Sequence, residues 1–379
     1  MKLEYFGVGC LSSIPLILKY HRAKRIFLVT GKKSYYISGA RDAITPYLDS
    51  KNVIHFSDFS TDPKIADVRR GVSELKQAKC DAVIAIGGGS TIDMAKLINI
   101  ITYNNCDPED LATGKEKVKV KGLPLIAIPT TSGSGSEATH FAVVYVNKIK
   151  YSLAHQYILP DYPIIDPSLT YNLPPKLTAI SGFDALSQAV ESYWAITATE
   201  ESQQYASQAI KMILPTLESA VNSPSIEARN TMALAAHLAG KAINITKTTA
   251  PHAISYPLTT YFNIPHGHAV ALLLGNFFVI NSKSEGDGWR DYRGDVPQKV
   301  MRELCDLFDC INPQDCANKW YALMATVGLE TDFKTLGICN QSDIDLIIKN
   351  VNAERLGNNP VIITKTILKQ LFRILAKAT

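Results

Sequence analysis

The sequence lacks the features that mark membrane, secreted and nucleic-acid-binding proteins. No apolar run reaches the roughly 18–20 residues of a spanning helix, and the start of the chain lacks the charged-then-apolar layout of a signal peptide. The net charge of +4 is not accompanied by a long basic run. We therefore expect a cytoplasmic protein without membrane or nucleic-acid partners, and the small positive charge would suit an anionic small-molecule substrate.

Cysteine pairs with a recognisable spacing are also lacking. The chain contains seven cysteines, an odd number, and no CxxC motif occurs. Cys305, Cys310 and Cys316 lie near one another in the sequence, but their spacing matches no common zinc site. We therefore expect scattered reduced thiols, as is usual in the cytoplasm.

What the chain does contain is enough apolar sequence for a hydrophobic core. It has 379 residues, of which 46% are hydrophobic and 20% are charged, and this length is typical of two domains. In the first part, short apolar runs alternate with helix-length segments, which predicts parallel strands covered on both faces. The predicted strands are 25–30, 53–56, 81–86 and 125–129.

The pattern changes after the dipeptide Pro174-Pro175, where helical periodicity takes over. Long helices are predicted at 200–221, 226–243 and 297–307, and an exposed loop is predicted at 282–294. The sequence therefore predicts an α/β domain with a parallel sheet at 1–172 and an all-helical domain at 173–379.

A run of three glycines, 87–89, follows the third predicted strand and precedes Ser90. Such backbone can approach a phosphate closely, and the N–H groups and dipole of the following helix attract the anion. An ordinary tight turn is the alternative, because no Rossmann GxGxxG fingerprint occurs.

A second loop of small residues, 129–137, follows the fourth predicted strand. It lies at the edge where α/β sheets bind ligands, and the alternative is a helix cap. Two such loops in one sheet favour a bound dinucleotide.

The helical half carries a possible metal site. Asp184 and Gln188 are four residues apart and share a helix face, and His252 and His266 lie in later segments. One carboxylate with imidazoles suits Fe²⁺ or Zn²⁺ and leaves room for a substrate oxygen. Each histidine taken alone could equally be structural.

Together these segments resemble the iron-containing (group III) alcohol dehydrogenase family over nearly the whole chain. GGGSTIDMAK, PTTSGSGSE, GFDALSQAVE and the two histidine-bearing segments occur in the family's order. The resemblance implies a dehydroquinate-synthase-like α/β domain that binds NAD(P), an all-helical metal domain, and a homodimer or larger homo-oligomer. It implies Asp184, His252 and His266 as ligands of Fe²⁺ or Zn²⁺. Gln188 stands where family members usually have a fourth, histidine ligand, and an amide oxygen binds these metals more weakly.

A closer resemblance is to the phosphonoacetaldehyde reductase branch, in segments 137–146, 151–155, 244–252, 327–331 and 352–360. It implies reduction of phosphonoacetaldehyde to 2-hydroxyethylphosphonate at the metal. Tyr256 and His268 are then the catalytic candidates. Tyr256 could position the substrate, relay a proton or simply pack, and His268 could contact the substrate or be structural.

A phosphonate tail requires cationic or multiple-donor contacts. Lys247 is the strongest candidate, because it lies five residues before His252 among threonines, although a surface charge or helix-end contact is the alternative for every candidate. The predicted substrate-binding residues are Lys247, His140, His155, Arg355 and Asn358.

The end of the first predicted strand bears on the choice of cofactor. NAD-preferring relatives often have Asp where Gly31 stands, and Gly31 therefore removes a carboxylate that would repel a 2′-phosphate. Lys32 could bind that phosphate, so we expect NADP(H) to be accepted, with NAD(H) as the alternative. The predicted cofactor-binding residues are Gly31, Lys32, Gly87, Gly88, Gly89, Ser90, Asp93, Thr130, Thr131, Ser136, Thr139 and Lys150.

Three other functions remain open at this point. The enzyme could be a general or sugar-acid alcohol dehydrogenase of the same family. It could be a cyclising lyase of the dehydroquinate synthase type, although the motifs fit that reaction less well. Gln188 also leaves room for a nucleotide-binding protein that has lost its metal and its activity.

Overall fold

The structure, a computed structural model, describes residues 3–147, 149–282, 296–351 and 356–377. The chain divides into two units, Met1–Pro174 and Pro175–Thr379. Among these described residues, we find no helix with the length and apolar character that crossing a bilayer requires.

The N-terminal unit is built on a six-stranded parallel sheet with the strand order β1-β8-β5-β4-β2-β3. Strands β6 and β7 form a separate antiparallel hairpin. The strands are β1 Tyr5–Phe6, β2 Arg25–Thr30, β3 Asn52–Phe56, β4 Ala82–Gly87, β5 Leu125–Pro129, β6 Phe141–Val146, β7 Ile149–Ala154 and β8 Tyr162–Ile165. The four strands predicted from the sequence correspond to β2, β3, β4 and β5.

Helices cover both faces of this sheet, as its apolar strands predict. Alternate residues of β2 point to opposite sides, so that Phe27 packs in one buried cluster with α4 and α5, and Leu28 in another with α1 and α3. The helices are α1 Ile14–Tyr20, α2 Ser34–Ile37, α3 Ala40–Leu48, α4 Ile65–Ala78, α5 Gly89–Asn104 and α6 Pro108–Thr113. The predicted α/β class is confirmed.

The order of the strands reverses beside β2. The chain passes from β2 to β3 on one side of the sheet and returns to β4 on the other, with Thr30 and Ile86 paired in register. The carboxyl ends of β2 and β4 are therefore neighbours whose following segments diverge. Open α/β sheets bind their ligands at such a reversal. Gly31 and the glycine run 87–89 leave the sheet at this point.

The elements of the C-terminal unit within its described residues are α-helices joined by loops and turns, which confirms the predicted class. Its core joins α7, α12 and α14, where the rings of Phe183 and Trp320 lie 5.1 Å apart edge to face. The helices are α7 Pro175–Trp194, α8 Glu200–Ile213, α9 Leu217–Asn222, α10 Ile226–Thr246, α11 Ala250–Phe262, α12 His266–Ser282, α13 Val296–Leu307, α14 Pro313–Thr326, α15 Gln341–Lys349 and α16 Lys365–Lys377.

One helix prediction was wrong in its extent. The helix expected at 200–221 is two helices, α8 and α9, separated by a turn at 214–216. Pro215 lies in that turn, and proline has no N–H to continue the hydrogen-bond ladder of a helix. Of the loop expected at 282–294, only Ser282 is described, as the last residue of α12, and the rest lies outside the described residues.

Candidate metal centre and nucleotide-binding loops

Three helices of the C-terminal unit supply the candidate metal ligands. Asp184 and Gln188 lie one turn apart on α7. His252 is in the first turn of α11, and His266 is the first residue of α12. The ligands therefore come from three chain segments that only the tertiary fold brings together.

Asp184, His252 and His266 do converge. One ligand atom from each lies within 4.8 Å of the others, and Nε2 of His252 is 3.5 Å from Oδ1 of Asp184. The two imidazole rings are 5.3 Å apart between centroids. Asp184 and His252 are buried and His266 is half-buried. One carboxylate and two imidazoles at this spacing fit Fe²⁺ or Zn²⁺ and leave coordination positions for other ligands.

Gly267 allows α12 to approach α7 at the metal centre. A Cβ at this position would lie 2.2 Å from the carbonyl oxygen of Ile180 and 2.8 Å from Cβ of Asp184. No side chain fits there without displacing backbone, so a glycine beside His266 is needed for this close packing. The sequence His266-Gly267 thus places one ligand directly against the helix that carries another.

Glu191, which the sequence analysis did not single out, contacts a candidate metal ligand directly. It lies one turn beyond Gln188 on α7, is fully buried, and its Oε2 is hydrogen-bonded to Nδ1 of His252. Its Oε1 accepts from the N–H and hydroxyl of Thr249, both at 2.9 Å, and from the N–H of His252 at 3.3 Å. The i, i+7 spacing from Asp184 was the available signal, because it puts both carboxylates on one helix face.

This arrangement fixes the chemistry of the His252 ring. A carboxylate only accepts hydrogen bonds, so Nδ1 carries a proton, and Nε2, 3.5 Å from Oδ1 of Asp184, is the nitrogen left to bind a metal. Burial acts to lower the pKa of His252, but the carboxylates of Glu191 and Asp184 outweigh it and raise the pKa to about 9. The ring lies in strongly negative surroundings, which favour a cation.

Three further candidates from the sequence, Gln188, Tyr256 and His268, have different contacts around the metal centre. Gln188 is buried one turn after Asp184. The ring of Tyr256 lies 6.0 Å from that of His266 between centroids. His268 is buried, and its Nε2 lies 2.6 Å from the carbonyl oxygen of Glu330. A carbonyl only accepts, so Nε2 donates this bond, and burial lowers the pKa of His268.

In the N-terminal unit, the two loops of small residues meet at the edge of the sheet. The Thr130 N–H donates to the carbonyl of Gly87 at 3.0 Å. A Cβ built on Gly88 would lie 3.5 Å from Thr131, and one on Gly89 would lie 2.5 Å from the Ser134 hydroxyl. Gly89 and Ser90 begin α5, whose N–H groups point out of this end of the helix. The fold therefore brings together the glycine run 87–89 and the loop 129–137, the two segments predicted to bind phosphate.

A buried lysine holds this pair of loops together. The Lys96 ammonium donates to the Ser136 hydroxyl at 3.0 Å, to the Thr139 carbonyl and hydroxyl at 2.9 and 3.1 Å, and to the Phe141 carbonyl at 2.9 Å. Asp93 lies 3.9 Å from the same ammonium and accepts from Ser136 at 2.5 Å. Three predicted cofactor contacts, Asp93, Ser136 and Thr139, thus take part in the internal bonding of the loop.

The remaining cofactor candidates lie at two places. Gly31 follows β2, and the exposed ammonium of Lys32 forms an ion pair with Asp58 at 2.5 Å. Lys150 lies on β7. Burial raises the pKa of Asp93, and the charge of Lys96 and, more weakly, that of Lys150 act to lower it.

The substrate candidates are divided between the units. His140 and His155 lie in the N-terminal unit, where the His155 N–H donates to the His140 carbonyl at 2.9 Å. Lys247 and Asn358 lie in the C-terminal unit, and the Asn358 side chain donates to the carbonyls of Thr246 and Thr248 on either side of Lys247. Arg355 lies outside the described residues.

Comparison with protein families gives matches to both units. The profile of the iron-containing alcohol dehydrogenases matches residues 4–167, and that of the C-terminal part of the Fe-containing alcohol dehydrogenase family matches residues 178–376. The long-chain-alcohol dehydrogenase 1 of Geobacillus thermodenitrificans is 36% identical over 88% of this chain and 84% of its own length. The NADPH-dependent butanol dehydrogenase of Clostridium saccharobutylicum is 31% identical over 97% and 95%.

Among solved structures, the sulfoacetaldehyde reductase of Bifidobacterium kashiwanohense in complex with NAD⁺ is similar over the whole chain. The TM-score is 0.89 at 30% sequence identity, and the match covers 100% of this chain and 98% of that one. That protein was crystallised with the cofactor class that the loops at the carboxyl end of the sheet suggest here.

Proposed function

This chain belongs to the iron-containing alcohol dehydrogenase family, and from that membership we propose that it reduces phosphonoacetaldehyde to 2-hydroxyethylphosphonate. As a family member it is an NAD(P)-linked oxidoreductase acting between alcohols and aldehydes with a divalent metal. The identity of the substrate is what we propose beyond the family, and it rests on the resemblance of several segments to the phosphonoacetaldehyde reductases. The full-length similarity to a sulfoacetaldehyde reductase supports it, because both compounds are two-carbon aldehydes with a tetrahedral anionic group.

The convergence of Asp184, His252 and His266 is the observation that carries the reaction type. Fe²⁺ or Zn²⁺ bound there would polarise the aldehyde oxygen while the nicotinamide supplies the hydride. Asp184 contributes the negative charge of the ligand set. Glu191 keeps the proton of His252 on Nδ1, so that Nε2 stays available as a ligand. We propose Gln188 as a fourth, weaker ligand.

Tyr256 is the better placed of the two catalytic candidates. Its ring lies beside His266, where a hydroxyl could position the aldehyde or pass a proton to the developing alkoxide. Nε2 of His268 instead donates to the Glu330 carbonyl, which supports the structural alternative for that residue.

We also propose that NADP(H) is accepted. Gly31 contributes no carboxylate of its own at the end of β2, and the exposed Lys32 beside it would have to exchange its ion pair with Asp58 for the 2′-phosphate. We further propose that the protein is a homo-oligomer located in the cytoplasm. The seven cysteines are all unpaired, as in a reducing compartment, and light scattering of the purified protein would test the oligomeric state.

The deciding experiment compares three aldehydes with both cofactors. The metal-loaded enzyme is assayed on phosphonoacetaldehyde, sulfoacetaldehyde and propionaldehyde, with NADH and with NADPH, and kcat/KM is measured for each pair. We expect phosphonoacetaldehyde to have the highest value and propionaldehyde the lowest. A higher value for sulfoacetaldehyde would keep the anionic substrate class but replace the substrate.

A second candidate function is a general alcohol dehydrogenase, which the 36% identity to a long-chain-alcohol dehydrogenase favours. The same assay separates it, because a general enzyme would turn over propionaldehyde as well as the anionic aldehydes. Equal kcat/KM for all three compounds would therefore contradict the proposed substrate and support this candidate.

A further inference from the structure

Lys247 closes α10 in a backbone conformation that side chains avoid. Its φ is +63° and its ψ is −178°. Lys79, Asn105 and Asn263 also have positive φ, but their ψ values of 53°, 40° and 23° lie in the ordinary left-handed region. The combination at Lys247 belongs to a region that is essentially restricted to glycine, because a Cβ is strained there.

Hydrogen bonds on both sides hold this conformation. The Asn358 amide donates to the Thr246 carbonyl at 2.8 Å and to the Thr248 carbonyl at 3.1 Å, and so joins the two residues that flank Lys247. The Thr197 hydroxyl lies 2.8 Å from the Thr246 carbonyl and 2.8 Å from Oδ1 of Asn358. Both N–H groups of the Asn358 amide are thereby used, which leaves none for a substrate. We refer to Thr246–Thr248 together with Asn358 and Thr197 as the Lys247 turn.

The Lys247 turn is connected to the metal centre within the same unit. Thr249 donates its N–H and hydroxyl to Glu191, and Glu191 is the carboxylate that orients His252. The position of the turn is therefore fixed relative to a metal ligand by buried hydrogen bonds.

Glycine would adopt the same backbone conformation without strain. If the turn served only to end α10, lysine would be a poor residue for it. Strained residues that their surroundings hold in place occur at ligand-binding positions, where the strain fixes the direction of a functional side chain. Lys247 is a half-buried basic residue at such a position, and it lies two residues before Thr249, which the Glu191 carboxylate links to His252.

We propose that Lys247 recognises the anionic tail of the aldehyde, and that Asn358 and Thr197 are positioning residues that set the direction of its side chain. This inference rests on the proposed function, because it assumes an anionic substrate, and it assigns the recognition of that substrate to one strained residue. An ammonium whose backbone is held in one conformation can donate ionic hydrogen bonds to a phosphonate or sulfonate. An uncharged tail would not accept such bonds.

The experiment uses K247A, K247G, N358A and the double variant K247A/N358A in the metal-loaded enzyme. The readouts are the thermal unfolding midpoint and the ratio of kcat/KM for phosphonoacetaldehyde to that for propionaldehyde. We expect K247A and K247G to lower this ratio roughly 10- to 100-fold, as for the loss of hydrogen bonds to a charged group. K247G should unfold about 2 °C or more above K247A, since only alanine retains the strain.

N358A should lower the same ratio, mainly through a higher KM for phosphonoacetaldehyde. The double variant should lower it no further than K247A alone, because Asn358 acts through Lys247. An unchanged ratio in K247A, full additivity in the double variant, or an unfolding midpoint of K247G at or below that of K247A would overturn the inference. A wild-type enzyme without preference for anionic aldehydes would instead contradict the proposed function itself.

Discussion

Glu191 and His252 form a buried carboxylate–imidazole pair whose open nitrogen faces Asp184 and His266. The same carboxylate accepts from the backbone N–H of His252 and from Thr249 at the start of α11. The Glu191 side chain thereby holds both the start of α11 and the His252 ring on that helix. A carboxylate that binds the other ring nitrogen of a histidine ligand orients the ring and strengthens its binding to metal.

The first prediction concerns this pair. E191Q should lower the affinity for Zn²⁺ roughly 10- to 100-fold, because the amide cannot accept all the hydrogen bonds that Glu191 accepts. Affinity is measured by competition with a chromophoric chelator, and folding is checked by circular dichroism. E303Q is the matched control, since Glu303 binds Tyr193 and touches none of the ligands. Equal affinities of E191Q and E303Q would show that Glu191 has only a structural role.

The second prediction concerns the proposed fourth ligand. Q188H should raise the affinity for Zn²⁺ about tenfold or more, because an imidazole binds this ion more strongly than an amide oxygen and the position lies one turn from Asp184. The same chelator competition measures it. If Q188H and Q188A both leave the affinity at the wild-type value, position 188 does not face the ion.

The third prediction concerns the glycine run. A Cβ on Gly88 would meet nothing closer than 3.5 Å, whereas one on Gly89 would lie 2.5 Å from the Ser134 hydroxyl. G88A should therefore fold with an unchanged unfolding midpoint and still lose affinity for NADH and NADPH, because its methyl group occupies space that a phosphate needs. Fluorescence titration with both cofactors measures this. Wild-type cofactor affinity in G88A would mean that the phosphates bind elsewhere.

The fourth prediction concerns the buried ammonium of Lys96. K96M should reduce the free energy of unfolding by about 3–5 kcal/mol, because it leaves Asp93 buried without its cation and removes the hydrogen bonds to Ser136, Thr139 and Phe141. Urea denaturation measures the change. The control K119M removes an exposed lysine that pairs with Glu116 and should leave stability unchanged. A loss in K96M no larger than in the control would contradict this account of the loops.

Much of the fold could be predicted from the sequence because its signals are local. The apolar strands β2 to β5 and the glycines after β4 are continuous segments, and their periodicity identifies them. Strand β1 has two residues, Tyr5 and Phe6, which are too few for a pattern. Pro215 is a local signal for the end of α8, because proline has no N–H to continue the helix.

The sequence indicated the candidate ligands but not the residues that hold them in position. The family's motifs supplied Asp184, His252 and His266, and the structure places them together. The pairing of Glu191 with His252 joins positions 61 residues apart, and no spacing rule connects them. The same is true of Asn358, whose hydrogen bonds to the Lys247 turn span 110 and 112 residues.

The central claim is that Asp184, His252 and His266 bind one divalent cation. Anomalous diffraction at the Fe or Zn edge, from crystals of the active enzyme, tests it most directly. We predict one peak per chain at about 2.0–2.2 Å from an oxygen of Asp184, Nε2 of His252 and a ring nitrogen of His266. A peak at another site, or none in crystals whose protein reduces aldehyde, would contradict the account.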